Sequence, residues 1–295
     1  MGAAMAGNLL TAGYRLHVYN RTPEKAEPLI AQGAKLMSHP SDAVEAGGIV
    51  VTMLADDQAV EDIVFGERGI LKRLGPHGIH VSMSTVSPAT ARRLAKDHER
   101  HGVSYLAAPV FGRPEAAAAR KLWICLSGPR AAKDRVQPLL RVLGQGIFDF
   151  GEELGAANVV KLAGNFLLAS AIEALGEALT LTRKNGIDRT KVAAMLGQTL
   201  FACPAYQIYG EAIAQERYQP AGFTVALGLK DIKLVLETAA ASIMPMPLAS
   251  LLHDRLLTTV AQGRADLDWA AVALTVDEDA GLTRKGLERD ETPIK

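Results

Sequence analysis

Lys161 and Asn165 are the pair in this chain best spaced to handle a proton. They lie in Gly155-Ala-Ala-Asn-Val-Val-Lys161-Leu-Ala-Gly-Asn165, which opens the longest helical pattern in the sequence, from about Ala156 to about Lys184. Four residues apart, they stand one above the other on a single helix face. A lysine in the second turn feels the positive end of the helix dipole, and burial disfavours its charged form. Both effects predict a pKa lowered toward a proton-shuttling value. The same spacing also fits a lysine snorkelling out of an apolar helix. Val159, Val160, Leu162, Phe166, Leu167, Leu168, Ile172, Leu175, Leu179 and Leu181 cover almost every face, which predicts a buried helix.

The elements that must position this pair follow from the apolar runs. In the N-terminal half, strands are expected at Arg15–Tyr19, Ala34–Met37, Ile49–Leu54, Ile79–Met83, Val103–Val110 and Leu122–Leu126. Helices are expected at Pro23–Gln32, Pro88–His101 and Ala131–Leu143. That alternation predicts a mostly parallel sheet with helices on both faces. Ligands in such sheets sit at the carboxyl ends of strands, so the loops after Tyr19, Met53 and Met83 become candidates. Met1 to about Gly13 reads as a helix from its first residue, without the strand and glycine-rich turn that normally lead into a dinucleotide fold. After Lys184 the pattern is all helical: Arg189–Leu196, Ala205–Gln215, Val225–Ala240 and Pro247–Ala261. The charged stretch from about Thr283 is expected to fray.

Composition narrows the class. The 295 residues suit about two domains. Lys plus Arg equals Asp plus Glu at 32 each, so no net field favours nucleic acid or an anionic membrane. Cys125 and Cys203 stand in unrelated contexts and the seven histidines make no spaced ligand set, so no metal is expected. His98 and His101, in Lys-Asp-His-Glu-Arg-His, read as solvated. No apolar run with flanking charges reads as a membrane span, and no signal peptide is seen; the expectation is a cytoplasmic protein.

Asn20-Arg21-Thr22 follows the first strand, where a dinucleotide site places an acid for the ribose or an arginine for a 2′-phosphate. Arginine's planar fork suits phosphate, although Arg-Thr-Pro-Glu is equally an ordinary helix start.

Six motifs then fall in order: Met1-Gly-Ala-Ala-Met-Ala-Gly-Asn-Leu-Leu, Asn20-Arg21-Thr22, Ser84-Thr85-Val-Ser-Pro88, Ala108-Pro-Val-Phe-Gly112, Gly155 through Asn165, and Lys230-Asp231. With them the chain resembles the β-hydroxyacid dehydrogenase family over nearly its whole length. The family's opening pattern is Gly-Leu-Gly-x-Met-Gly-x-x-Met-Ala-x-Asn-Leu, and this sequence begins at the Met-Gly within it. The expectation is a truncated sequence lacking the central first strand.

The resemblance implies an α/β Rossmann-type domain over residues 1–152 and an all-α substrate and dimerisation domain over 153–295, joined by a long interdomain helix. It implies NADP as cofactor, with NAD the alternative. Met1 and Gly2 would hold the diphosphate, Asn20, Arg21 and Thr22 the 2′-phosphate, and Met53, Leu54 and Thr85 the nucleosides. Phe223 and Lys230 would lie by the nicotinamide. Lys161 and Asn165 would be catalytic, with Asp231 bracing the neighbourhood. The family's substrate loop, Asp-Ala-Pro-Val-Ser-Gly-Gly, reads Ala107-Ala-Pro-Val110-Phe111-Gly112-Arg113 here. The pocket is therefore expected to be more apolar, with Arg113 either clamping a carboxylate or lying at the surface. The implied reaction is reversible hydride transfer between nicotinamide and a small aldehyde or keto acid, in a homodimer or homotetramer. Two alternatives remain: an imine-reductase-like enzyme, and a non-catalytic dinucleotide-binding module.

Overall fold

The computed structural model describes residues 1–282. Two compact units emerge from its contacts. The first comprises Met1–Asn165 with Leu234–Pro245, the second Phe166–Lys233 with the chain from Met246 onward. The expected fraying beyond Thr283 lies outside the described residues.

In the first unit the chain runs α1 (Gly2–Thr11), β1 (His17–Val18), α2 (Glu27–Ile30), β2 (Lys35–Leu36), β3 (Ile49–Thr52), α3 (Asp57–Phe65), α4 (Ile70–Leu74), β4 (Ile79–Ser82) and α5 (Pro88–Arg100). It continues through β5 (Ser104–Ala107), β6 (Val110–Phe111), α6 (Pro114–Ala118), β7 (Leu122–Leu126), α7 (Arg130–Leu143) and β8 (Gly144–Asp149). β3, β4 and β5 form a parallel sheet in that order, and β1 and β2 a separate parallel pair. The single strand expected from Val103 to Val110 is broken at Pro109, which has no N–H to give a ladder. Its second piece, β6, instead pairs antiparallel with β7, which runs parallel to β8. The helix expected over Pro23–Gln32 is a 3-10 turn at Pro23–Ala26 followed by the single turn of α2.

Alternation along the strands divides the core. Ile79 and Val81 of β4 pack with Met5 and Leu9 of α1 and with Leu139, Leu140 and Leu143 of α7. Tyr105 and Ala107 of β5 join Val60, Val64, Leu74, Leu94 and Ala95 of α3, α4 and α5. Successive strand residues face opposite ways, so these are the two faces of one layer. No ladder joins β1 to β3. Between them lies a cavity of about 440 Å³ lined by Leu16, Val18, Ile49, Val51, Met5, Leu9, Leu139 and Leu143, among others.

His98 is fully buried, against the solvated reading. It lies one turn beyond Leu94 on the buried face of α5. Its Nδ1 donates to the Leu94 carbonyl at 2.6 Å, because a carbonyl can only accept. Its neutral Nε2 therefore accepts from His80 Nδ1 at 2.9 Å, and His80 Nε2 accepts from the Thr52 hydroxyl at 2.9 Å. Burial pushes the His98 pKa down to about 4, opposed by its hydrogen bond to Leu94 and by Asp97. Burial and then His98 push His80 well below the usual imidazole range. Above pH 6.5 both states hold these rings neutral. Below it the unfolded chain takes up protons that the folded one refuses, so stability falls as pH drops from 6.5 toward 4. For His98 the loss at pH 4.5 is about 2.5 kcal/mol. Urea titrations at pH 7.5 and 4.5 are expected to show it, and the His80→Leu/His98→Leu double variant should show a smaller drop. An equal drop in that variant would assign the acid sensitivity elsewhere.

In the second unit α8 (Ala156–Lys184), which starts in the first, is followed by α9 (Arg189–Gln198), α10 (Pro204–Ala214), α11 (Val225–Ala241), α12 (Pro247–Ala261) and α13 (Val272–Asp279). An 18-residue window of α8 averages a hydropathy of 1.4, enough by length and composition to cross a membrane, which the sequence reading did not register. Its polar contacts mark it instead as a packed helix. Glu173 pairs with Arg255 of α12 at 2.8 Å, and Thr180 donates to Asp277 of α13 at 2.6 Å. The helix is not buried all round, however. Leu167 and Leu181 are each 65% exposed.

Candidate active site

α8 begins where two loops of the first unit hold its end. Asn158 Nδ2 donates to the Val86 carbonyl in the loop after β4, at 3.2 Å. Ala157 N donates to Ser127 Oγ beyond β7, also at 3.2 Å. Gly155 N donates to Glu153 Oε2 at 2.9 Å. One turn further in, Lys161 is 8% exposed and Asn165 3%. Lys161 Nζ donates to Asn165 Oδ1 at 2.8 Å. An ammonium has no acceptor, so the amide must present its oxygen here and turn its NH₂ elsewhere. The i, i+4 spacing thus yields a direct charge-assisted bond, and the snorkelling alternative falls with the lysine's burial.

Phe111 completes this corner, its ring centroid 4.2 Å from Lys161 Nζ. Such a cation–π contact is worth about 0.5–2 kcal/mol, toward the upper end when desolvated. It depends on Gly164, since a Cβ there would stand 2.3 Å from Phe111 Cζ. Gly112, at φ +136°, is likewise fixed, because a Cβ would meet Leu122 Cδ2 at 2.7 Å. Val110 is buried, and half-buried Arg113 precedes α6 with its Nε 3.8 Å from Glu115 Oε2. Buried Cys125 of β7 feels the Lys161 charge, but desolvation outweighs it and raises the thiol pKa. The thiol stays protonated and is no nucleophile.

The cofactor candidates of this unit gather around the cavity between β1 and β3 and on the loop after β4. Gly2, Asn20, Met53 and Leu54 all line the cavity beside β1 and β3. α1 has no side-chain cap and no acid in its first turn, so its leading N–H groups are uncapped as an anion-binding helix end requires. Asn20 Nδ2 donates to the Thr22 carbonyl at 2.7 Å, shaping a turn from which exposed Arg21 projects. Leu54 N donates to buried Ser84 Oγ at 2.8 Å, which ties the loop after β3 to the one carrying half-buried Thr85. The uncapped helix end and the exposed Arg21 guanidinium fit the phosphates of a dinucleotide; the deeper cavity wall, being apolar, does not.

Phe223, Lys230 and Asp231 belong to the second unit. Lys230 Nζ lies 2.8 Å from Oδ1 of Asp231, which is 1% exposed, and Phe223 packs edge-on to Trp269 at 4.8 Å. Asn158 and Ser127 were missed by sequence reasoning. Asn158 had a signal, since it precedes Lys161 by three residues on one helix; Ser127 had none.

A parallel sheet with an uncapped helix at its carboxyl edge, followed by a buried lysine–asparagine pair, defines a dinucleotide-dependent oxidoreductase. Residues 1–151 match the family described as the NAD binding domain of 6-phosphogluconate dehydrogenase. Residues 155–276 match the NAD-binding of NADP-dependent 3-hydroxyisobutyrate dehydrogenase. The chain belongs to the β-hydroxyacid dehydrogenase family. It is 45% identical to an uncharacterised oxidoreductase of Bacillus subtilis, over 92% of this chain and 95% of that one. It is 33% identical to 3-hydroxyisobutyrate dehydrogenase of Pseudomonas aeruginosa, over 92% and 94%. The Mycobacterium tuberculosis 3-hydroxyisobutyrate dehydrogenase, solved with L-serine, superposes with a TM-score of 0.83 at 29% identity, over 94% of this chain and 95% of that one. The protein is an NAD(P)-dependent oxidoreductase acting on CH–OH groups. An imine reductase from Myxococcus stipitatus shares the fold more distantly, with a TM-score of 0.64 at 23% identity.

Proposed function

We propose that the protein is an NADP-preferring reductase of a small aldehyde or keto acid, working reversibly on the corresponding hydroxy acid, with Lys161 as general acid and base. The buried Lys161–Asn165 pair carries this reading. The nicotinamide supplies or accepts the hydride at its C4. Lys161 gives a proton from Nζ to the developing alkoxide in reduction and takes the hydroxyl proton in oxidation. Asn165 Oδ1 holds the amine in place, and its amide N–H groups can steady the same oxygen. Gly2 at the start of α1 would hold the diphosphate. Asn20, Arg21 and Thr22 would hold the 2′-phosphate, with Met53, Leu54 and Thr85 along the nucleosides. A buried lysine set for proton transfer to oxygen favours the carbonyl reading over imine reduction, whose substrate arrives already able to carry the charge.

The cofactor preference is tested at Arg21. Arg21→Ala should lower kcat/KM for NADPH by about 10–100-fold, the worth of a charge-assisted phosphate contact, and leave NADH within threefold. An equal loss with both cofactors would remove Arg21 from 2′-phosphate recognition.

We further propose that the chain works as a homodimer or homotetramer. Leu167, Leu181 and Leu200 of the second unit are 65%, 65% and 91% exposed, more apolar surface than a lone helical unit usually shows to water. Sedimentation velocity is expected to give at least twice the 31.4 kDa chain mass at micromolar concentration. A monomer there would refute it.

A further inference from the structure

The ring of Phe111 does more than cover a lysine. β6 pairing sets Phe111 opposite Trp123, and the Gly164 backbone bounds the ring on the helix side, so its position over Lys161 Nζ is confined. An ammonium directs its N–H groups tetrahedrally, and one of them meets Asn165 Oδ1 at 2.8 Å. An oxygen bonded to the same amine then stands roughly 6 Å from the ring centroid, from a hydrogen bond near 2.8 Å and a tetrahedral angle. The group attached to the reacting carbon therefore comes within contact reach of the ring. A phenyl ring has no N–H or O–H for a carboxylate or hydroxyl, and its negative face repels an anion. Arg113, two residues on, has its Nε 3.8 Å from Glu115 Oε2, a carboxylate that already faces it. An alkyl or aryl group at that place gains burial and dispersion instead.

We propose that Phe111 is a specificity-determining residue that selects carbonyl substrates whose short chain on the reacting carbon is apolar, alkyl or aryl, throughout. It discriminates against semialdehydes that end that chain in a free carboxylate. The inference rests on the hydride-transfer reading above and narrows its substrate class.

The test compares 4-methylpentanal with succinic semialdehyde, isosteres in which an isopropyl group stands for the carboxylate, by NADPH oxidation with the full-length protein. The wild type is expected to favour 4-methylpentanal at least tenfold in kcat/KM. Phe111→Ser should cut that preference at least tenfold, while Phe111→Leu, which stays apolar, should keep most of it. A wild type that prefers succinic semialdehyde, or a Phe111→Ser ratio within twofold of wild type, overturns the proposal and leaves hydride transfer intact. Calorimetry of the NADPH-loaded protein with the inert amides 4-methylpentanamide and succinamate separates the remaining cases. Tenfold tighter binding of the former without turnover of either aldehyde keeps the role of Phe111 and removes the hydride-transfer reading. Neither turnover nor preferential binding overturns both.

Discussion

Lys161→Met is expected to lower kcat by about 10³-fold, roughly 4 kcal/mol of transition-state stabilisation, while NADPH binding stays within threefold. Methionine preserves the unbranched stem between Phe111 and α8, so the loss cannot be assigned to a collapsed core. Lys161→Arg sharpens the point. It keeps a positive charge but cannot release a proton near neutral pH, and its planar fork does not fit a site shaped by one amine under a ring. If Lys161 acted only by attracting the oxygen, arginine would rescue a large share of the rate; as a proton donor it should rescue almost none. Asn165→Ala should fall between, about 10–100-fold down, since it steadies the amine rather than transferring the proton. Stopped-flow NADPH oxidation and fluorescence titration of bound NADPH read the two quantities separately. A Lys161→Met variant retaining more than a tenth of the wild-type rate would take the lysine out of the chemistry.

How far this was legible in the sequence differs between the two ends of the site. Lys161 and Asn165 lie on one helix, where spacing alone decides who faces whom, so their bond could be read from the residue numbers. Phe111 stood out as a phenylalanine where the loop pattern implied by the resemblance has serine. That its ring lies on the amine depends on β6 turning from the sheet of β5 to that of β7, a tertiary event that local pattern does not encode. Gly164 shows the same limit, since its need for no side chain is set by the ring of Phe111, far earlier in the chain. His98 was misread for a different reason. The charges around it dominated, yet Leu94, Ala95 and His98 fall at helical spacing on one buried face of α5. β8 was overlooked because Gly144 and Gly146 are poor strand formers; Gly146 is required there, since a Cβ would stand 2.5 Å from Trp123. Helices α8 to α12 were placed within one or two residues, because they are long and some open on prolines such as Pro204 and Pro247, whereas the short α13 was not read at all.

The gap between β1 and β3 leads to the second large effect. Each of these strands pairs on one side, β1 with β2 and β3 with β4, and all run parallel. Their other edges face an apolar cavity of about 440 Å³ that α1 and α7 line with Met5, Leu9, Leu139 and Leu143. These edges pair with no strand, and a parallel strand laid between them would complete both ladders. The start of α1 marks where such a strand would have to end, because Gly2 lies against Met53 just past the end of β3. Fusing a six-residue Val/Ile-rich strand and a glycine turn ahead of Met1 is therefore expected to stabilise the protein. Ordering six residues costs about 9 kcal/mol. Burying four apolar side chains contributes about 8 kcal/mol, and about eight net hydrogen bonds another 6 kcal/mol. A gain of about 5 kcal/mol corresponds to a Tm rise of about 8 °C for a chain of this size. The same fusion with proline at its third position removes one ladder donor and should lose most of that rise. Equal melting temperatures for the two fusions would mean that the cavity does not accept a strand, and that β1 and β3 hold their places without one.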